Sequence, residues 1–262
     1  MKKFTSLFVL MALGLLFTNC VGPKSLQKQI NRTAYEPVLI LDSEQVPEKS
    51  DKTIAFEVLN ESPLTPESTV FKNDGHFLYL LVFFTYEYDM TITLGDNASN
   101  PTALSVLQNS FFGTFDRSGL LQRTPKEEGS ETDYKAIVRV KELDIKCDYM
   151  NKGFGFGSFS TAEAKAQKSV GKILLNLELY DHEGALLLEK DYVENRIMDF
   201  ASNTTNYSKV KKMAMKNLVE NLTVTSQAVA LEMTRDINAS IQGHKELTAS
   251  SEVINEIPVE KQ

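Results

Sequence analysis

The side chains that could carry out chemistry are few, and their spacing does not assemble a reaction site. The histidines, His76, His182 and His244, lie far apart along the chain, and none has metal-ligand spacing to another histidine or cysteine. No serine lies in a nucleophile-elbow motif, and the glycines of GFGFG at 153–157 are not followed by the Gly-Lys-Ser/Thr of a phosphate-binding loop. We therefore predict a protein that is not an enzyme and holds no metal or cofactor.

Cys20 stands out because of the residues that precede it. Lys2 and Lys3 are followed by an apolar run at 7–17, and Cys20 comes just after that run. A charged start with an apolar core of this length is typical of a secretory signal peptide. The run is shorter than the ~20 apolar residues that a membrane-spanning helix needs. The sequence thus predicts an exported protein with a signal peptide at 1–19.

The end of this segment resembles the lipobox of bacterial lipoproteins. The resemblance implies cleavage before Cys20 and acylation of its thiol, with palmitate among the chains. Asn19 departs from the Gly, Ala or Ser that is usual at that position, and an ordinary secreted protein or an uncleaved anchor are the alternatives. Val21 and Gly22 contain no aspartate of the kind that retains lipoproteins in the inner membrane, which implies outer-membrane residence facing the periplasm.

Composition supports a single folded unit with extensions. The 262 residues are 42% hydrophobic, which is enough for a sizeable core. The net charge of −7 argues against nucleic acid as a partner and against electrostatic binding to anionic lipid, so membrane attachment would depend on the acyl chains. We expect a tether at 20–52, one domain at 53–235 and a flexible tail at 236–262. With Cys20 acylated, Cys147 has no disulfide partner and is interpreted as a small half-buried apolar residue.

Hydrophobic periodicity predicts the strands. The run FLYLLVFF at 77–84 is apolar on both faces, as in a central strand, and it continues with strict alternation to 94 after a bend near Thr85. Segments 54–59, 134–147, 169–180 and 185–197 complete the set, with a bulge near Glu142 and a hairpin loop at 181–184. The crossover from 77–94 to 134–147 is expected to be right-handed, which requires parallel strands.

Two helices are expected. Asn100 and Pro101 form a helix-start signal, and an apolar stripe of period three to four runs to residue 118. A second stripe runs from 206 to about 233, with a possible break at the weak helix formers 223–225. The order β, β, α, β, β, β, α predicts an α/β (α+β) two-layer domain, a mixed β-sheet with helices packed on one face.

The segment 150–168 is unusual because three glycines alternate with Phe154, Phe156 and then Phe159. We interpret it as a connecting loop between strands. Aromatic rings at a loop end suggest contact with a partner protein or with the bilayer surface. The alternative is that the rings fold back onto the sheet as core.

A strand at 134–145, the Gly- and Phe-rich segment, a strand ending in the acidic Gly hairpin at 181–184 and a final helix resemble the periplasmic domain of curli-secretion-type lipoproteins. The layout is also similar to ABC-type transport auxiliary lipoproteins. These resemblances imply a lipid-anchored, non-enzymatic envelope component that binds other envelope proteins in transport, secretion or assembly. Residues 21–95 match neither family, and a second pair of long amphipathic segments, as a pore-forming channel needs, is not evident.

A carrier of an apolar ligand, held between helix 101–118 and the sheet, is the alternative function. The two functions differ in what they require of the interior. A continuous apolar cavity of several hundred Å³ would favour the carrier, as ligand pockets are roughly 300–1,000 Å³. A filled core would favour the interaction protein.

Overall fold

The computed structural model describes residues 23–33, 35–37, 48–80, 83–124, 132–156, 159–204 and 207–255. Its strands are β1 (Thr53–Asn60), β2 (Thr69–Leu80), β3 (Phe83–Thr93), β4 (Gln122–Thr124), β5 (Tyr134–Phe156), β6 (Phe159–Asp181) and β7 (Leu186–Thr204). Its α-helices are α1 (Pro23–Ile30), α2 (Ala103–Ser118) and α3 (Tyr207–Asn255).

The long strand β5 is the centre of a seven-stranded sheet. Along one side it pairs antiparallel with β6, which in turn pairs with β7. Along the other side its first part pairs parallel with β1, and its second part pairs antiparallel with β3. β4 extends the sheet beyond β1, and β2 extends it beyond β3. The sheet is therefore mixed and mostly antiparallel.

All three helices contribute to one apolar core against one face of this sheet. Phe56 of β1 shows the packing, because its ring lies edge-on to Phe111 and Phe115 of α2, with centroids 4.9 and 4.8 Å away. The opposite face of the first half of β5 carries charged side chains, as in the ion pair of Arg139 with Glu178. The predicted two-layer α+β fold and the apolar stripe of α2 are confirmed.

Helix α3 is held to the sheet by polar contacts as well as by its apolar stripe. Asn217 donates to the hydroxyl of Tyr149 at 2.9 Å, and Asn221 donates to the hydroxyl of Ser169 at 2.9 Å. Thr225 donates to the side-chain carbonyl of Asn221 at 2.8 Å. Because the polar side chains of Asn221 and Thr225 have buried hydrogen-bond partners, α3 is continuous through these residues, and the predicted break at 223–225 is wrong.

Both predicted extensions are shorter than expected. In the predicted tether, α1 docks with Leu26 and Ile30 fully buried. In the predicted tail, α3 continues to Asn255, and Ile237 and Ile241 are fully buried. Each segment buries apolar side chains on one face of a helix, which a flexible chain could not do.

The turns and connections give mixed results. The bulge near Glu142 is confirmed, since the pairing with β6 shifts between Val140 and Glu142. The hairpin loop at 181–184 is confirmed, with Gly184 at φ +83°. Helix α2 is capped by Thr102, whose hydroxyl accepts from the Ser105 amide at 3.3 Å, rather than by Asn100. The predicted right-handed crossover from 77–94 to 134–147 is wrong, because it requires parallel strands and β3 runs antiparallel to β5.

Candidate functional site: an apolar hairpin tip

Two β-hairpins lie side by side and end at the same level. Leu80 pairs with Phe83 across the first hairpin, and Phe156 pairs with Phe159 across the second. Phe83 is also opposite Phe156, which joins the two hairpins into four adjacent strands. We call the four residues of each strand that lie nearest these ends, 77–80, 83–86, 153–156 and 159–162, the hairpin tip.

On the face of the sheet away from the helices, the hairpin tip is built of level rows. The outermost row holds Leu80, Phe83 and Phe156, and the second row holds Leu78, Thr85 and Phe154. Phe159 pairs with Phe156 in the backbone register, and its side chain lies outside the described part of the structure. The rings of Phe83 and Phe154 pack edge-on with centroids 5.1 Å apart. The next row, just below the hairpin tip, changes to titratable side chains, His76, Glu87, Lys152 and Glu163. Lys152 and Glu163 form an ion pair at 3.3 Å.

On the helix side, aromatic side chains of β3 cover glycines of β5. Tyr86 is opposite Gly153 and Phe84 is opposite Gly155, and a Cβ at either glycine would collide with the ring. The missing Cβ atoms let these rings lie across β5, so that Tyr86 is only 3% and Phe84 only 8% exposed. The hairpin tip is therefore packed within itself.

Even so, the hairpin tip leaves much apolar surface in water. Side chains between 42% and 57% exposed are Phe77, Leu78, Tyr79, Leu80, Phe154 and Phe156. Single exposed apolar residues are normal, but a contiguous group of this kind marks an interaction site. The structure thus assembles one exposed apolar surface that includes two of the three predicted phenylalanines, Phe154 and Phe156.

The secondary structure predicted for two segments of this surface is wrong. FLYLLVFF is not one central strand, because β2 ends at Leu80 and β3 begins at Phe83 and runs antiparallel to β2. The Gly- and Phe-rich segment is not a loop, because β5 runs to Phe156 and β6 starts at Phe159. The sequence did not predict that residues 77–80 belong to the exposed apolar surface, because a run of apolar residues without a turn residue is typical of a buried strand. The alternation of glycine and phenylalanine at 153–156 has the period of a strand and could have signalled one.

The remaining predicted site residue and the candidate reactive groups lie elsewhere. Cys20 lies outside the described residues. Cys147 is fully buried in β5, and burial raises the pKa of its thiol to about 12, so it stays protonated at neutral pH. Burial also raises the pKa of Tyr149. Within the described ranges, no three His, Cys, Asp or Glu side chains group as metal ligands.

Where described residues line it, the interior between α2, α3 and the sheet contains only a small cavity. A cavity lined by side chains that include Phe111, Val138 and Met233 has a volume of about 10 Å³. That is room for about one water molecule. A cavity of this volume is too small for an apolar ligand.

Comparison of the chain with models of known protein families gives no match, and no curated protein matches its sequence. Among the described residues, no helix is both long enough and apolar enough to cross a membrane.

Proposed function

We propose that this chain is a lipid-anchored envelope protein that acts by contact rather than by catalysis, as an auxiliary component of transport, secretion or envelope assembly. Acyl chains on Cys20 would hold it at the membrane, and the outer membrane facing the periplasm is the proposed location. Envelope proteins are the proposed partners besides the membrane itself, and nucleic acid is not among them. The single observation that carries the proposal is the exposed apolar surface of the hairpin tip.

The docked helix α1 gives the proposed anchor a short reach. Only a few residues separate Cys20 from Pro23, where α1 begins. A chain of that length spans at most about 10 Å. An acylated Cys20 would therefore keep the folded body close to the bilayer surface, where the hairpin tip could meet other envelope components.

The reactive groups and the interior favour this function over the alternatives. The buried, protonated Cys147 offers no nucleophile. The cavity of about 10 Å³ beneath α2 is far below the roughly 300 Å³ of a small ligand pocket, which disfavours the apolar carrier.

Acylation is tested by metabolic labelling with palmitate and by cell fractionation. Cys20→Ala is expected to abolish the label and to move the protein out of the membrane fraction. Cys147→Ala is the matched control, because it removes the other cysteine of the chain and is expected to leave the label unchanged. Unchanged labelling of Cys20→Ala would refute the anchor.

A further inference from the structure

We propose that the hairpin tip inserts into the outer part of a lipid leaflet, with its apolar rows among the acyl chains and its charged row at the headgroups. This deepens the proposed function by naming what the hairpin tip contacts, and it rests on that function for the protein's place at a membrane.

The first reason is that the hairpin tip is apolar on both faces. Leu78, Leu80 and Phe156 point to one side of the sheet, whereas Phe77 and Tyr79 point to the other, and all are about half exposed. A flat partner surface would cover one face and leave the other in water. Acyl chains are fluid and can remove both apolar faces of a thin sheet from water at once.

The second reason is that the polar boundary is level. His76, Glu87, Lys152 and Glu163 occupy one row across all four strands, so both hairpins change from apolar to charged at the same height. On the helix-side face, the Lys72 ammonium lies 4.4 Å from the centroid of the Tyr88 ring, just below the hairpin tip. A straight boundary across separate hairpins matches a planar interface between hydrocarbon and headgroups.

The third reason is depth. Four residues per strand at about 3.3 Å each give the hairpin tip a height of about 13 Å. The hydrocarbon core of a bilayer is about 30 Å thick, so one leaflet provides about 15 Å of hydrocarbon. The dimensions therefore suit entry into one leaflet.

The chain contains no tryptophan, so one substitution gives a single reporter. Phe156→Trp places the reporter in the outermost row of the hairpin tip. Phe71→Trp is the matched control, because Phe71 is 60% exposed on the same face of the sheet but about 30 Å from Leu80 along β2. The acylated full chain of each variant is reconstituted in phosphatidylcholine and phosphatidylethanolamine vesicles with brominated acyl chains.

The proposal predicts that emission of Phe156→Trp shifts to shorter wavelength in vesicles and is quenched by the brominated chains several-fold more than that of Phe71→Trp. Equal quenching of the two would overturn it. A shift that appears without vesicles and grows with protein concentration would instead assign the surface to a second copy. A shift that requires added envelope proteins would assign it to a protein partner, and either result would overturn the proposal.

Leu80→Trp repeats the measurement from the other hairpin, so that misfolding of one reporter variant does not decide the outcome. Failure of the proposed anchor is read separately by the palmitate label. A labelled chain whose hairpin-tip reporter stays in water refutes the insertion and keeps the anchor. An unlabelled chain whose reporter is quenched refutes the anchor and keeps the insertion.

Discussion

The ring of Tyr86 lies across the backbone of Gly153, the residue opposite it on the neighbouring strand. The same relationship repeats two residues further out, where Phe84 covers Gly155. The glycines of the GFGF segment therefore do not serve as flexible positions. They make room for aromatic rings that stiffen the helix-side face of the hairpin tip, while the phenylalanines between them point to the other face.

This relationship predicts a stability cost for a single methyl group. Gly153→Ala would force its Cβ into the Tyr86 ring, and overpacking of this kind typically costs about 1–3 kcal/mol. The free energy of unfolding, measured by urea denaturation, is expected to fall by that amount.

Gly243→Ala is the control for this substitution. It lies in α3, and a Cβ there would meet nothing within 4 Å. Because alanine is the better helix former, this variant is expected to gain about 0.5–1 kcal/mol. A Gly153→Ala protein as stable as wild type would show that the ring does not lie where the structure places it.

Phe111 is expected to be a principal stabilising residue of the core. It is buried against Phe56, and truncation of a buried phenylalanine to alanine costs about 3–5 kcal/mol. Phe111→Ala should therefore lower the melting temperature sharply, whereas Phe71→Ala, at an exposed site, should leave it nearly unchanged. Similar small shifts for both variants in differential scanning calorimetry would contradict the packing of α2 on β1.

The start of β1 should add an acid-sensitive contribution to stability. The Asp133 carboxylate accepts hydrogen bonds from the Thr53 amide at 2.8 Å and from the Thr53 hydroxyl at 3.1 Å. The hydrogen bond from the amide is the main cause of the lowered pKa of Asp133. Because the folded pKa lies below the ordinary value of 3.8, the contribution is present above that value and is lost as pH falls through the folded pKa. Asp133→Asn should lose less stability on acidification than wild type in urea denaturation series. Parallel pH profiles would contradict this.

The sequence predicted features that depend on local periodicity. The change of parity between Val140 and Leu143 located the bulge at Glu142, and the stripe of α2 identified the face that packs on Phe56. These predictions are correct because a strand with one buried face has apolar residues at every second position, and a helix with one buried face has them at every third or fourth position. The predicted layers of the fold followed from the order of these elements.

Features that depend on tertiary contacts were not predicted. The chain reverses between Leu80 and Phe83, but the run 77–84 contains no Gly, Pro, Asn or Asp that would indicate a turn, so its pattern is that of one buried strand. Asn221 and Thr225 are poor helix formers that become favourable only when Ser169 of β6 supplies a buried partner. The hairpin tip itself arises from the pairing of β3 with β5, which joins segments far apart along the chain.

The proposed function requires the hairpin tip to be in contact with the envelope. A photoreactive phenylalanine analogue at position 156 of the full chain, illuminated in intact cells, tests this most directly, with the same analogue at the exposed position 71 as control. With melting temperatures unchanged, the account predicts several-fold more adducts, to lipid or to protein, from position 156 than from position 71. Equal adduct yields from the two positions would contradict it, because the hairpin tip would then be open to water.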